Sequence, residues 1–262
     1  MEILKKIQAN GIVPVIKITN VEDALPLAKA LVDGGLNVAE ITFRTKVAQQ
    51  AIQKIHEALP DMLLGAGTVL TCEQVDEAMK AGAQFIVSPG FDERVVRYCQ
   101  QKDILIIPGC SNASEIQQAI SMGLSTVKFF PAEAAGGVTY IKALSGPFSD
   151  MHFMPTGGVN EKNMMEYLEN ANVIACGGTW MVKDNLIKEK KFSEIQELTK
   201  DAVLKMLDIH LYSYSLEKNR LTLSTSSLER ARYHLGKKGI LFDENNHMLS
   251  KDYDYHITLM EA

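Results

Sequence analysis

The chain has no long apolar run, no dense block of lysine and arginine, and no closely spaced pair of cysteines. Without roughly 18 consecutive apolar residues, no segment reads as a membrane-spanning helix. Met1 to Asn10 is amphipathic and carries Glu2, Lys5 and Lys6, so it reads as neither signal peptide nor span, and a cytoplasmic protein is expected. The net charge of −5 and the lack of a basic block argue against nucleic acid as a partner. The short run Lys188 to Lys191 reads as a solvated helix end. Cys72, Cys99, Cys110 and Cys176 show no CxxC spacing, which excludes a disulfide framework and leaves reduced, mostly buried thiols. The histidines, at 56, 152, 210, 234, 247 and 256, form no HExxH or other compact ligand set, so no metal site and no cofactor are expected.

What is present is a repeat. Short apolar runs recur at Ile12–Ile16, Val38–Thr42, Leu63–Ala66, Phe85–Val87, Ile104–Ile107, Thr126–Phe129, His152–Met154 and Val173–Ala175. Their period of roughly 20 to 26 residues suits repeated β/α units. Most read as strands buried on both faces, as a parallel sheet requires. Helical patterns lie between them, such as Val21–Val32, Val47–Leu59, Cys72–Ala81 and Ala113–Met122. Gly34-Gly35, Gly82 and Gly123 follow helices, where a C-cap needs φ > 0. Eight strands, each but the first preceded by a helix, predict a (β/α)8 TIM barrel over residues 1–207, closed by a helix at Phe192–Leu207. An open doubly wound sheet is the alternative, but it more often carries a glycine-rich fingerprint after its first strand, a place held here by Lys17-Ile18-Thr19-Asn20.

Residues 208–262 differ in composition and predict a small α+β extension. Ile209–Ser215, Leu221–Thr225, Ile240–Phe242 and Tyr255–Leu259 read as strands and Leu228–Lys237 as an amphipathic helix. About 55 residues bury little core alone, so this tail is expected to pack on the barrel or on another copy of itself.

Lys128 carries the strongest chemical signal. It sits in Ser125-Thr126-Val127-Lys128-Phe129-Phe130-Pro131, an amine within an apolar strand. An ammonium there suffers desolvation, and a lowered pKa would leave a neutral, nucleophilic amine suited to Schiff-base chemistry. The competing reading is a lysine whose stem is buried while its head reaches water. In a parallel barrel the active site lies at the C-terminal strand ends, and other polar residues gather there. The period of two puts Glu40, Thr42 and Arg44 on one face, either as a structural ion pair or as a proton shuttle beside a carboxylate clamp. Strand three ends in Gly65-Ala66-Gly67-Thr68, whose glycines would let substrate approach the backbone and whose Thr68 offers a hydroxyl, though alone the segment also fits a simple turn. Strands seven and eight end in Gly157-Gly158 and Gly177-Gly178-Thr179, where barrels commonly bind phosphate through backbone N–H groups; the competing reading is two tight turns.

Together these residues resemble the class I 2-keto-3-deoxy-6-phosphogluconate (KDPG) aldolases, also called 4-hydroxy-2-oxoglutarate (KHG) aldolases. The matching pieces are Glu40-Ile41-Thr42-Phe43-Arg44-Thr45, Gly65 to Val69, Ser88-Pro89-Gly90, Ile107-Pro108-Gly109, Val127 to Glu133, Gly146-Pro147-Phe148 and Pro155 to Val159, in order within residues 1–207. The resemblance implies a metal-independent, homotrimeric barrel lyase acting on a 2-keto acid or sugar-acid phosphate. It implies that Lys128 forms the Schiff base and Glu40 moves protons. Arg44 and Thr68 would hold the pyruvyl carboxylate, Pro89, Phe130 and Thr156 would line the pocket, and Gly157, Gly158, Gly178 and Thr179 would cradle phosphate. Two departures touch substrate preference. Lys17 stands where arginine is common, losing the two-pronged grip, and Thr179 precedes Trp180 where serine is common. The tail's order of strands and helix resembles one half of a glyoxalase-like module, expected to serve packing or assembly. An isomerase or epimerase with Lys128 as an electrostatic group, and a non-catalytic sugar-phosphate-binding barrel, are the alternatives.

Overall fold

The computed structural model describes residues 2–215, 219–249 and 256–262. The barrel strands are β1 (Ile12–Ile16), β2 (Val38–Thr42), β3 (Leu63–Gly67), β4 (Phe85–Val87), β5 (Ile106–Ile107), β6 (Gly109–Cys110), β7 (Thr126–Phe129), β8 (His152–Pro155) and β9 (Cys176–Gly178). The helices around them are α1 (Glu2–Asn10), α2 (Ala24–Asp33), α3 (Ala48–Ala58), α4 (Cys72–Lys80), α5 (Glu93–Gln101), α6 (Ala113–Ser121), α7 (Gly137–Ser145), α8 (Met164–Leu168), α9 (Asp184–Lys188) and α10 (Phe192–Leu207). Side chains of Thr71, Asp92 and Asn112 accept the early N–H groups of α4, α5 and α6 and fix where those helices start.

All pairing in the barrel is parallel. One sheet runs β5-β4-β3-β2-β1-β9 and the other β6-β7-β8. They are one closed wall: β5 and β6 are a single stretch interrupted at Pro108, which has no N–H to give a ladder. On the other side, bridges Phe153–Val173 and Thr156–Gly177 join β8 to the chain at β9. Strands β1 to β4 and β7 are buried along their whole length, the signature of a sheet covered on both faces. Val13, Val38, Leu63, Phe85, Ile107 and Met154 fill the barrel interior together with Ile7 of α1, which plugs the N-terminal end. Gly65 leaves the space that the Phe85 ring occupies. A TIM-type α/β barrel with a small α+β extension is therefore the architecture.

Several details depart from the sequence reading. Helix α1 precedes β1, so the first strand also follows a helix. The last barrel strand is Cys176–Gly178 rather than Val173–Ala175, because it is Ile12 to Pro14 that supply its ladder. Gly34 is helical at φ −75°, and it is Gly35 that turns to φ +104°. Gly34 is needed for another reason: a Cβ there would lie 2.6 Å from Thr199 Cβ on α10. The expected strand at Ile240–Phe242 is a single bridge from Phe242 to Met248.

The tail consists of β10 (His210–Ser215), β11 (Arg220–Thr225), α11 (Leu228–Lys237) and β12 (His256–Glu261), with β10 antiparallel and β12 parallel to β11. Tyr255, expected in the last strand, lies outside the described residues. Ser227 caps α11. This helix packs on α1 and reaches the start of the barrel strands: Arg230 Nη2 donates to Ile174 O at 3.4 Å, and His234 Nε2 lies 3.2 Å from Asn10 O.

Candidate active site

The C-terminal strand ends surround a cavity of about 520 Å³. Lys128 projects into it from the middle of β7, with 5% of the residue exposed. Its Nζ lies 3.2 Å from Oε1 of Glu40, which is 0% exposed on β2. Burying both charges costs several kcal/mol of desolvation for each, so such a pair contributes little net stability. The other carboxylate oxygen of Glu40, Oε2, is buried and has no hydrogen-bond partner among the described residues. Gly67 makes this placement possible. A Cβ at that position would sit 2.6 Å from both Cγ and Cδ of Glu40, and closer still to Oε1. Lys128 Nζ also lies 5.5 Å from the centroid of the Phe130 ring.

Arg44 does not pair with Glu40. Its Nε donates to Thr68 Oγ1 at 3.1 Å, and both residues line the cavity. Thr68 holds φ +55°, a conformation that L-residues adopt at a cost. The loops that carry these groups are tied together, with Thr45 Oγ1 donating to Ile18 O at 2.6 Å and Phe43 N to Gly67 O at 2.7 Å.

On the far side, Thr156, Gly157 and Gly158 follow β8, Gly178 ends β9 and Thr179 follows it; all five line the cavity. Gly157 and Gly158 stand at φ +97° and +87°. The ring of Trp180 occupies the place a Cβ on Gly178 would need. Thr156 Oγ1 is buried without a partner among the described residues.

Every residue singled out in the sequence thus reaches one place. Lys17, Arg44, Thr68, Pro89, Lys128, Phe130, Thr156, Gly157, Gly158, Gly178 and Thr179 line the cavity, and Glu40 stands directly behind Lys128. Two contributors escaped the sequence reading: Asp184 forms an ion pair with Lys17 at 2.6 Å, and Lys183 adds a cation at the rim. Gly67, named there for backbone approach, instead makes room for Glu40. Lys17, Arg44, Lys128 and Lys183 against Asp184 give the lining an excess of positive charge suited to an anionic substrate.

A parallel barrel with a buried amine–carboxylate pair at the base of a cationic mouth suits Schiff-base chemistry, by which a barrel aldolase, a lyase, breaks carbon–carbon bonds. The model of the KDPG and KHG aldolase family matches residues 3–198. A 2-dehydro-3-deoxy-phosphogluconate aldolase of Treponema pallidum is 46% identical over 201 residues, 77% of this chain and 96% of that protein. A KHG/KDPG aldolase of Escherichia coli is 43% identical over 192 residues, 73% of this chain and 90% of that protein. Among solved structures, a KDPG aldolase of Legionella pneumophila, with pyruvate captured as a covalent carbinolamine intermediate, superposes with a TM-score of 0.75. It is 43% identical, over 77% of this chain and 98% of that one. The chain belongs to the KDPG and KHG aldolase family, and it is an aldolase. The family match stops at residue 198, and the Treponema relative, covered over 96% of its length, has no room for a counterpart of the tail.

Proposed function

We propose that the protein cleaves KDPG to pyruvate and glyceraldehyde 3-phosphate, and KHG to pyruvate and glyoxylate, through a Schiff base on Lys128. The observation that carries this reading is the 3.2 Å approach of Lys128 Nζ to a fully buried Glu40 at the base of an anion-accepting cavity. The lone pair of Nζ attacks the C2 ketone, and Glu40 delivers a proton to the resulting alkoxide. Loss of water from the carbinolamine leaves an iminium. A base takes the C4 hydroxyl proton, the C3–C4 bond breaks, and its electron pair moves through C2–C3 onto the iminium nitrogen. The aldehyde departs, C3 of the enamine is protonated, and water attack on the iminium returns pyruvate and free Lys128. Glu40 suits the proton transfers because one oxygen faces the amine while the other has no partner among the described residues.

Arg44 grips the substrate carboxylate, with Thr68 fixing the guanidinium and offering its hydroxyl. Pro89, Phe130 and Thr156 wall the pyruvyl half. The N–H groups around Gly157, Gly158, Gly178 and Thr179 receive the phosphate, with Lys17 on the same rim. The working form is a cytoplasmic homotrimer, and residues 208–262 serve packing or assembly. No observation favours the isomerase or the non-catalytic barrel.

The test is intact mass after incubation with pyruvate and sodium borohydride, followed by peptide mapping. A reduced pyruvyl adduct confined to the Lys128 peptide, absent in Lys128→Ala, supports the reading. No adduct in folded protein removes it.

A further inference from the structure

The turn after β8 is held from outside the cavity. The Ala132 N–H donates to Thr156 O at 2.8 Å, and the Glu133 N–H donates to Gly157 O at 3.0 Å. The side-chain amides of Asn160 and Asn163 donate to Gly158 O at 2.9 Å and 3.3 Å. None of these four residues lines the cavity. In a trans peptide the C=O and the next N–H point in opposite directions. Anchoring three successive carbonyls outward therefore turns the N–H groups of Gly157, Gly158 and Val159 toward the cavity.

Glu133 is central to this clamp. Its side chain forms a wall behind Gly158, where an added Cβ would come 2.6 Å from Glu133 Cβ. Its carboxylate accepts the hydroxyl of Tyr167, which projects from α8 and is 1% exposed. A carboxylate packed against the Gly157-Gly158 turn would repel an anion there if it swung inward, and the Tyr167 hydroxyl holds it outward.

We propose that Glu133 and Tyr167 are positioning residues that set the Gly157-Gly158 turn for a phosphate group, and so select the phosphorylated 2-keto acid over the short one. This rests on the aldolase reading given above. Neither residue touches the substrate. Together they join the loop after β7, the turn after β8 and helix α8 into one support.

The test compares steady-state cleavage of KDPG and KHG by Tyr167→Phe, Glu133→Ala and Glu133→Gln, with inorganic phosphate as a competitive inhibitor. Loss of one charge-assisted hydrogen bond corresponds to about a tenfold change. Tyr167→Phe and Glu133→Ala should raise the KM for KDPG about tenfold and weaken phosphate inhibition by the same factor. The kcat for KDPG and the kcat/KM for KHG should stay within about twofold. Glu133→Gln still accepts the Tyr167 hydroxyl and should recover most of the loss. Equal losses on both substrates, or an unchanged KM for KDPG in variants that melt like wild type, overturn the proposal. Wild-type protein that forms the pyruvyl adduct yet ignores phosphate also overturns it, while leaving the Schiff-base reading intact. If wild type forms no adduct, both fall.

Discussion

Replacing Gly67 with alanine adds a single methyl group, and the structure says where that methyl must go. It would lie 2.6 Å from Cγ and Cδ of Glu40, whereas carbon atoms settle about 3.5 to 4.0 Å apart. The carboxylate must therefore retreat by about 1 Å, the difference between those two distances. The Lys128–Glu40 separation, 3.2 Å now, would then exceed the reach of a hydrogen bond. A misplacement of about 1 Å at a reacting group costs on the order of 100-fold in rate. Overpacking itself should cost about 1–3 kcal/mol, so the variant should fold. The assay couples pyruvate release to a reporter enzyme, alongside the melting temperature. Gly67→Ala should retain the melting transition and lose kcat by about 100-fold. The double variant Glu40→Ala/Gly67→Ala should be no slower than Glu40→Ala, within about threefold, because the clashing side chain has gone. Near-normal turnover by Gly67→Ala, or additive losses in the double variant, would refute this account of how Glu40 is held.

Burial pushes the thiols of Cys99, Cys110 and Cys176 up to about 12, while Cys72 is partly exposed. A disulfide reagent at neutral pH should therefore titrate one fast thiol in native protein and the remaining three only in denaturant; several fast thiols would contradict the packing around α5, β6 and β9. Burial also lowers the pKa of His234 from its ordinary 6.5. The unfolded chain then binds the proton more readily than the folded one, so this residue's contribution to stability is present above about pH 6.5 and is lost as pH falls toward the depressed folded value. The acid-side decline in melting temperature should be shallower in His234→Asn than in wild type, and matching slopes would argue against that burial.

How much of this was legible in the sequence depended on whether a residue announces itself. Strands at Ile12–Ile16, Val38–Thr42, Phe85–Val87 and Thr126–Phe129 keep the bounds read from their apolar runs, because burial on both faces keeps each run mostly apolar against its more polar flanks. Helices Phe192–Leu207 and Leu228–Lys237 likewise keep theirs, one ending at the Asp208 turn and the other opened by the Ser227 cap. Strand β9 falls after the apolar run Val173 to Ala175 because its ladder runs through Cys176-Gly177-Gly178, where glycine hides the strand. In the site, Lys128 and Glu40 were readable because a charge within an apolar run is conspicuous. Asp184 looks like any helix-start acid, and only the fold brings it to Lys17. Gly67 reads in the sequence as room for substrate or as part of a turn, and that its missing side chain makes room for Glu40 leaves no mark until the neighbour is known.

The position of the tail sets how this chain can vary. Helix α11 grips the chain just before β1 and β9 through Arg230 and His234, whereas Lys128 and the glycine turns lie at the opposite mouth. Segments gained or exchanged at the strand starts meet selection for fit and company, and those at the strand ends meet selection for substrate. The two can drift on separate clocks, with the closed wall of strands as their shared foundation.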